Sequence, residues 1–240
     1  MRPHPISPVS EPQQYRAIGI VRGVFEPQDK DQLTRGRLIT SDGNNLEAVV
    51  LGRLLTLMRR HLDISQPHLW VVYPRSRDDK TLHLQLMGVW EPSTLARPDS
   101  AGAGEAPPTD TLPEGDDYFS VRGELIYTRP ESGDVVVKVR QLPRADGTRP
   151  TPFKVHLSGT IPLEHLRHFV SIDARRQEQM LIVDRYEVIA ELPQRGNRGG
   201  KARRNGSEGR GNRPETRPGS QGAGPAGPRS HGRAVSRPRP

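Results

Sequence analysis

Lys138, Arg140, Lys154 and His156 fall at alternating positions of two runs, DVVVKVRQL (134–142) and FKVHLSG (153–159), whose remaining positions are mostly Val, Phe and Leu. Alternation of this kind sends apolar side chains to one face of a strand and polar ones to the other. Several cations on neighbouring strands can follow a phosphodiester backbone by charge. Arg35 and Arg37, with Arg75, Arg77 and Lys80 further on, form a comparable set earlier in the chain, diluted by Glu47, Asp78 and Asp79. Arg129, Arg175 and Arg176 flank the later set. Ordinary solvated strand faces also carry Lys and Arg, so the pattern leaves both interpretations open.

Other chemistries find little support. The chain has no cysteine, which excludes disulfides, thiolate metal ligands and Cys nucleophiles. It has no G-x-S-x-G elbow and no P-loop. His165 and His168, with His156 nearby, have metal-compatible spacing, but surface histidines beside a basic tail are the favoured interpretation. The expectation is a binding protein with no catalytic residue, no metal and no cofactor. Apolar runs, such as Ala48 to Leu51, are far too short to span a membrane. The N-terminus lacks an apolar signal region, so a cytoplasmic, reducing location is expected.

Charge divides the 240 residues unevenly. Residues 1–14 are neutral, 15–90 carry +3, 91–117 carry −6, 118–192 carry +1 and 193–240 carry +10. The last segment has no aromatic residue and one branched aliphatic, Val235, and is expected to be a disordered basic tail rich in Arg, Gly and Pro. Residues 91–117 are acidic and rich in Pro, Ala and Gly, as expected of a linker. The expected organisation is a disordered arm (1–14), a module (15–90), the linker (91–117), a second module (118–192) and the tail (193–240).

Each module shows the same order of elements. In the first, strands are expected at 15–27, 36–41, 46–51, 68–74 and 81–90. Leu51, Leu54, Leu55, Met58 and Leu62 give helical spacing between the third and fourth. Arg59, Arg60 and His61 fall in the last turn of that helix, where its dipole favours cations. In the second module, strands are expected at 118–128, 134–142, 153–159, 170–176 and 179–192, with a short helix at 162–169. Val-Arg-Gly at 21–23 recurs at 121–123.

The order β-β-β-α-β-β with a long, glycine-bent first strand resembles the OB-fold, a five-stranded Greek-key barrel. The expected class is therefore mainly β, two tandem OB-like barrels. Two unrelated α+β units or one larger split barrel remain the alternatives. The segments EPQQYRAIGIVRGVFEP, QLTRGRLITSDG, AVVLGRLLTLMRRHLD and QPHLWVVYPR, within residues 11–90, resemble a conserved cyanobacterial protein family of unassigned function. In the tail, Arg195, Arg198, Lys201, Arg203 and Arg204 resemble an RGG-type RNA-binding segment. OB-folds bind on strands two and three and the flanking loops, where the cations above would stand. Few aromatic rings are available for base stacking; Tyr73, Tyr118, Tyr127 and Tyr186 are the candidates, with Phe153 expected to point inward. RNA or single-stranded DNA is the leading partner class, on the ribosome or transcription machinery. The alternative is a protein-interaction or assembly scaffold with an incidental tail.

Overall fold

Gly23 and Gly123, the last residues of the repeated Val-Arg-Gly, sit where a long first strand passes from one partner strand to another. A Cβ on Gly23 would stand 2.5 Å from the Ile39 carbonyl oxygen, and one on Gly123 would meet the Lys138 carbonyl oxygen. Only glycine lets the two backbones approach so closely. The preceding Val21 and Val121 are both fully buried. The repeated tripeptide thus marks one bend used twice.

The computed structural model describes residues 4–77, 81–92 and 110–193. The first module contains β1 (Arg16–Asp29), β2 (Gln32–Thr40), β3 (Asn45–Val50), α1 (Gly52–His61), β4 (His68–Ser76) and β5 (Leu82–Val89). The second contains β6 (Tyr118–Arg129), β7 (Asp134–Val139), β8 (Phe153–Ser158), β9 (His168–Gln177) and β10 (Met180–Glu191). Strand neighbours run β1-β2-β3-β5-β4-β1 and β6-β7-β8-β10-β9-β6, with β3–β5 and β8–β10 parallel. Each circuit closes on itself, so both modules are OB barrels and the chain is mainly β. Helix α1 buries Leu54 and Met58 and leaves Leu55 half-buried, with Arg59 and Arg60 exposed.

The helix expected at 162–169 is instead one 3-10 turn, Leu163–His165. Leu163 is 60% exposed, so this segment has no apolar face to bury. Phe169, fully buried, already belongs to β9. Within the arm, Ile6 is 7% exposed and clusters with Ile20 and Leu69, while residues 7–13 are exposed.

Beyond each barrel's own ladder, β1 and β6 pair with each other, antiparallel: Arg16↔Arg122, Ala17↔Val121, Ile18↔Ser120 and Gly19↔Phe119. The Val-Arg-Gly repeat relates residue n of the first barrel to n + 100 of the second. Gly19 and Phe119 are then equivalent positions facing each other, so the ladder is isologous, centred on that pair. A Cβ at Gly19 would stand 2.6 Å from Cγ of Phe119. One ring fills the centre because its counterpart has no side chain.

Three further contacts lock the barrels together. The Arg176 side chain is 2% exposed; its Nε donates to Asp117 Oδ1 (2.7 Å) and its Nη1 to Asp42 Oδ2 (3.0 Å) in the β2–β3 turn. At the β9–β10 turn, Gln179 accepts from the Leu82 amide and donates to the Asn45 carbonyl, at 3.0 and 2.8 Å. On the β4 side, the Arg75 guanidinium lies 3.7 Å from the Phe153 ring centre, and the His156 amide donates to Ser76 Oγ at 2.9 Å. The buried core is correspondingly continuous, running from Val21 and Trp70 through Phe119 to Val155 and Ile172.

Candidate nucleic-acid interface

Strand register builds the face of the first barrel. Residues directly opposite one another share a face. Glu26↔Arg37, Arg37↔Glu47, Glu47↔His83 and His83↔Arg75 give one row across β1, β2, β3, β5 and β4. Arg35↔Val49, Val49↔Gln85 and Gln85↔Tyr73 give the next outward row. Between them, Ala48 and Leu84 point into the core. The two rows border an open groove with about 770 Å³ of space, lined by Arg35, Arg37, Glu47, Arg77 and His83 among others.

Charge in the groove is partly held in reserve. Arg37 pairs with Glu26 at 2.9 Å, and Arg77 pairs with Glu47; all four side chains are more than half exposed. Exposed pairs of this kind are worth little and exchange readily, so an arriving phosphate can take either arginine. Arg35 is exposed. Burial is the largest influence lowering the His83 pKa, aided by Arg77, Arg75 and Arg35 and opposed by Glu47. Burial therefore favours the neutral imidazole, with the neighbouring arginines acting in the same direction.

Arg75 belongs to the barrel junction more than to the groove. Its guanidinium stacks on Phe153, whose ring is half-buried and faces the other barrel as well as its own. Phe153 was expected to point simply inward; contact between barrels gives it a second neighbour.

In the second barrel the cations also come together. Glu124↔Lys138 and Lys138↔Lys154 form one row over β6, β7 and β8. Lys138 and Arg140 both reach Glu124, at 3.1 and 3.3 Å, and Arg140 also lies 5.6 Å from the Tyr15 ring centre. Lys154 is exposed. His156 is half-buried beside the first barrel, its amide held by Ser76. The loop that should flank this face is occupied: the β9–β10 turn packs on the first barrel through Arg176 and Gln179. Burial opposes the charge on Arg176, but Asp117 and Asp42 more than compensate and raise its pKa. Arg175 lies over Tyr118, and Arg129 over Tyr127, each 5.8 Å from the ring centre. Arg195, Arg198, Lys201, Arg203, Arg204 and Lys80 lie outside the described residues.

Sequence reasoning missed the seam. Arg16 and Arg122 pair in the β1–β6 ladder, Arg22 lies further along β1, and only the repeated tripeptide hinted at their relation. No group of three or more His, Asp or Glu side chains suited to a metal is found among the described residues. Among those residues, no helix is long and apolar enough to cross a membrane.

Comparison with known proteins agrees with the two barrels. Residues 17–97 match the family described as the PatR RNA-binding protein, N-terminal OB-fold domain. Residues 121–190 match the cyanobacterial OB-fold-like RNA-binding domain, C-terminal. Together the two matches span well over half the chain. No curated protein and no solved structure matches it.

Proposed function

We propose, from the premise that the chain belongs to the PatR-like family of cyanobacterial OB-fold proteins, that it binds single-stranded RNA along the groove of its first barrel. The observation that carries this is the pair of outward rows holding Arg35, Arg37, His83, Gln85 and Tyr73 beside Arg77. Arg35, Arg37 and Arg77 engage successive phosphates, the arginine pairs opening from Glu26 and Glu47 as they do so. Gln85 presents an amide to base edges, and Tyr73 supplies a ring at the end of its row.

The second barrel contributes less in this account. Two of its cations share Glu124, and its β9–β10 turn is committed to the first barrel. Lys154 remains as its principal phosphate contact. The tail cations Arg195, Arg198, Lys201, Arg203 and Arg204 add a diffuse, sequence-independent attraction. RNA is favoured over single-stranded DNA because both matched domains are described as RNA-binding.

Fluorescence anisotropy with a short oligouridylate tests this. Replacing Arg35, Arg37 and Arg77 together with Ala should weaken binding at least about tenfold. Replacing Lys138, Arg140 and Lys154 should weaken it less. Equal losses would remove the first-barrel assignment. Retained affinity in both variants would remove the barrel faces altogether.

A further inference from the structure

The isologous ladder between β1 and β6 contains an internal comparison. Under the relation of n to n + 100, the pair Arg16↔Arg122 maps onto Arg22 and Asp116. At the second site a guanidinium meets a carboxylate: Arg22 Nε and Nη2 donate to Asp116 at 2.7 and 3.3 Å, on the exposed surface. At the first site Asp116 is replaced by its counterpart Arg16. Two guanidiniums then stand side by side, and the Arg122 residue is only 6% exposed. One side of the dyad is charge-balanced and the other is not.

Neutral oxygens hold the unbalanced pair. Arg16 donates to the Ser7 carbonyl and Ser120 Oγ, both at 2.7 Å. Arg122 donates to Ser171 Oγ and the Pro12 carbonyl, both at 2.6 Å. The Nε of each is buried without a partner. The nearby carboxylate, Asp173, already accepts from the Tyr118 hydroxyl at 2.7 Å and from Arg185 at 2.6 Å. Burial, with Arg122 adding to it, lowers the Arg16 pKa, despite opposing pulls from Tyr118 and Asp173. A buried and a half-buried guanidinium side by side, each with an unpartnered Nε, are costly unless an anion completes them.

Access runs through the N-terminal arm. Ser7 and Pro12, whose carbonyls cap the two arginines, belong to the arm that Ile6 anchors. Arg16 also lines a cavity of about 530 Å³ with His4, Ile6, Ser7, Glu114 and Tyr118. Glu114, the acidic group there, is engaged by His4 at 3.0 Å.

We infer that Arg16 and Arg122, with Ser120 and Ser171, form a phosphate-binding site at the seam of the two barrels, which the carbonyls of Ser7 and Pro12 occupy until the arm lifts. The paired guanidiniums supply the charge and the donors, and the two serine hydroxyls that accept from them hold them in place. The phosphate is either a backbone group of bound RNA or a free phosphate. The first case rests on the RNA-binding role proposed above, and the second is independent of it.

The test titrates inorganic phosphate, against chloride at matched ionic strength, into the full chain and a chain lacking residues 1–13. Arginine Nε–H resonances are followed by NMR. In the shortened chain, the Arg16 and Arg122 signals should move together and saturate. Affinity should be at least about tenfold tighter than in the full chain, because two carbonyl competitors are gone. Arg16→Gln should abolish the phosphate response at Arg122. If the shortened chain does not fold, the full chain gives the same decision: Ile6 methyl signals should move in step with the arginine signals as phosphate displaces the arm. Equal responses to phosphate and chloride, or a phosphate affinity within about twofold after Arg16→Gln, would overturn the site and leave the arginines as an anchor for the arm. Oligouridylate is the second probe: movement of the same signals identifies a backbone phosphate, and their stillness identifies a free one. Failure of the RNA role appears separately, as loss of oligouridylate affinity for the groove while the phosphate response persists.

Discussion

Gly19→Ala is the smallest change that addresses the union of the two barrels. Gly19 pairs with Val72 on one side and Phe119 on the other, so its backbone cannot retreat either way. The new methyl would stand 2.6 Å from Phe119 Cγ, well inside van der Waals contact. Overpacking of this kind costs about 1–3 kcal/mol, and a backbone held on both edges places it near 3 kcal/mol. Phe119→Ala alone should cost about 3–5 kcal/mol, because the ring is fully buried. In the double variant the methyl enters space the ring has left, so Gly19→Ala should then cost less than about 0.5 kcal/mol. The predicted coupling is therefore about 2–3 kcal/mol. Urea unfolding followed by tryptophan fluorescence measures all four proteins, with unchanged m-values as the condition for comparison. Additive losses would refute the reasoning, because they would mean that residue 19 does not press on the ring.

Arg176→Ala should destabilise the chain by about 1–3 kcal/mol, since it removes a buried guanidinium bonded to two partly exposed carboxylates; a loss below about 0.5 kcal/mol would make the clamp ornamental. Cleavage at a protease site engineered between residues 97 and 110 should leave two fragments that co-elute on size exclusion, held by the β1–β6 ladder, and separate elution would contradict that ladder's strength. Because the His83 pKa lies below that of a free histidine, the unfolded chain takes up this proton first. His83 therefore contributes stability above about pH 6.5 that is lost as pH falls through the lower folded value. RNA phosphates should favour the charged ring, so RNA affinity should rise on acidification below about pH 6.5 in the wild type and stay flatter in His83→Gln. Parallel pH profiles would place His83 outside the binding groove.

Much of the fold was legible because local rules decide it. Val135, Val137 and Val139 alternate as a strand requires and all are buried, and Val136 between them is buried as well. The Leu54 and Met58 stripe identified the helix and its inward face. The Pro162–Phe169 segment misled because Leu163 and Leu166 imitate helical spacing, whereas Phe169 is claimed by a long-range pairing with Glu124. Site residues were legible as strand cations but not in their roles. Arg75 and Arg176 read like other exposed cations until Phe153 and Asp42, distant in sequence, take them up. The composition of the arm likewise gives no sign that the Ser7 and Pro12 carbonyls accept from Arg16 and Arg122.

The central claim, that the first barrel's groove tracks an RNA backbone, is tested most directly by the salt dependence of oligouridylate binding. Each phosphate neutralised on a single strand contributes about −0.7 to the slope of log affinity against log salt. Removing Arg35, Arg37 and Arg77 together should flatten the wild-type slope by about 2. Removing Lys138, Arg140 and Lys154 should flatten it by about 1, for Lys154 chiefly. A first-barrel variant whose slope matches the wild type would contradict the account, because those arginines would then neutralise no phosphate.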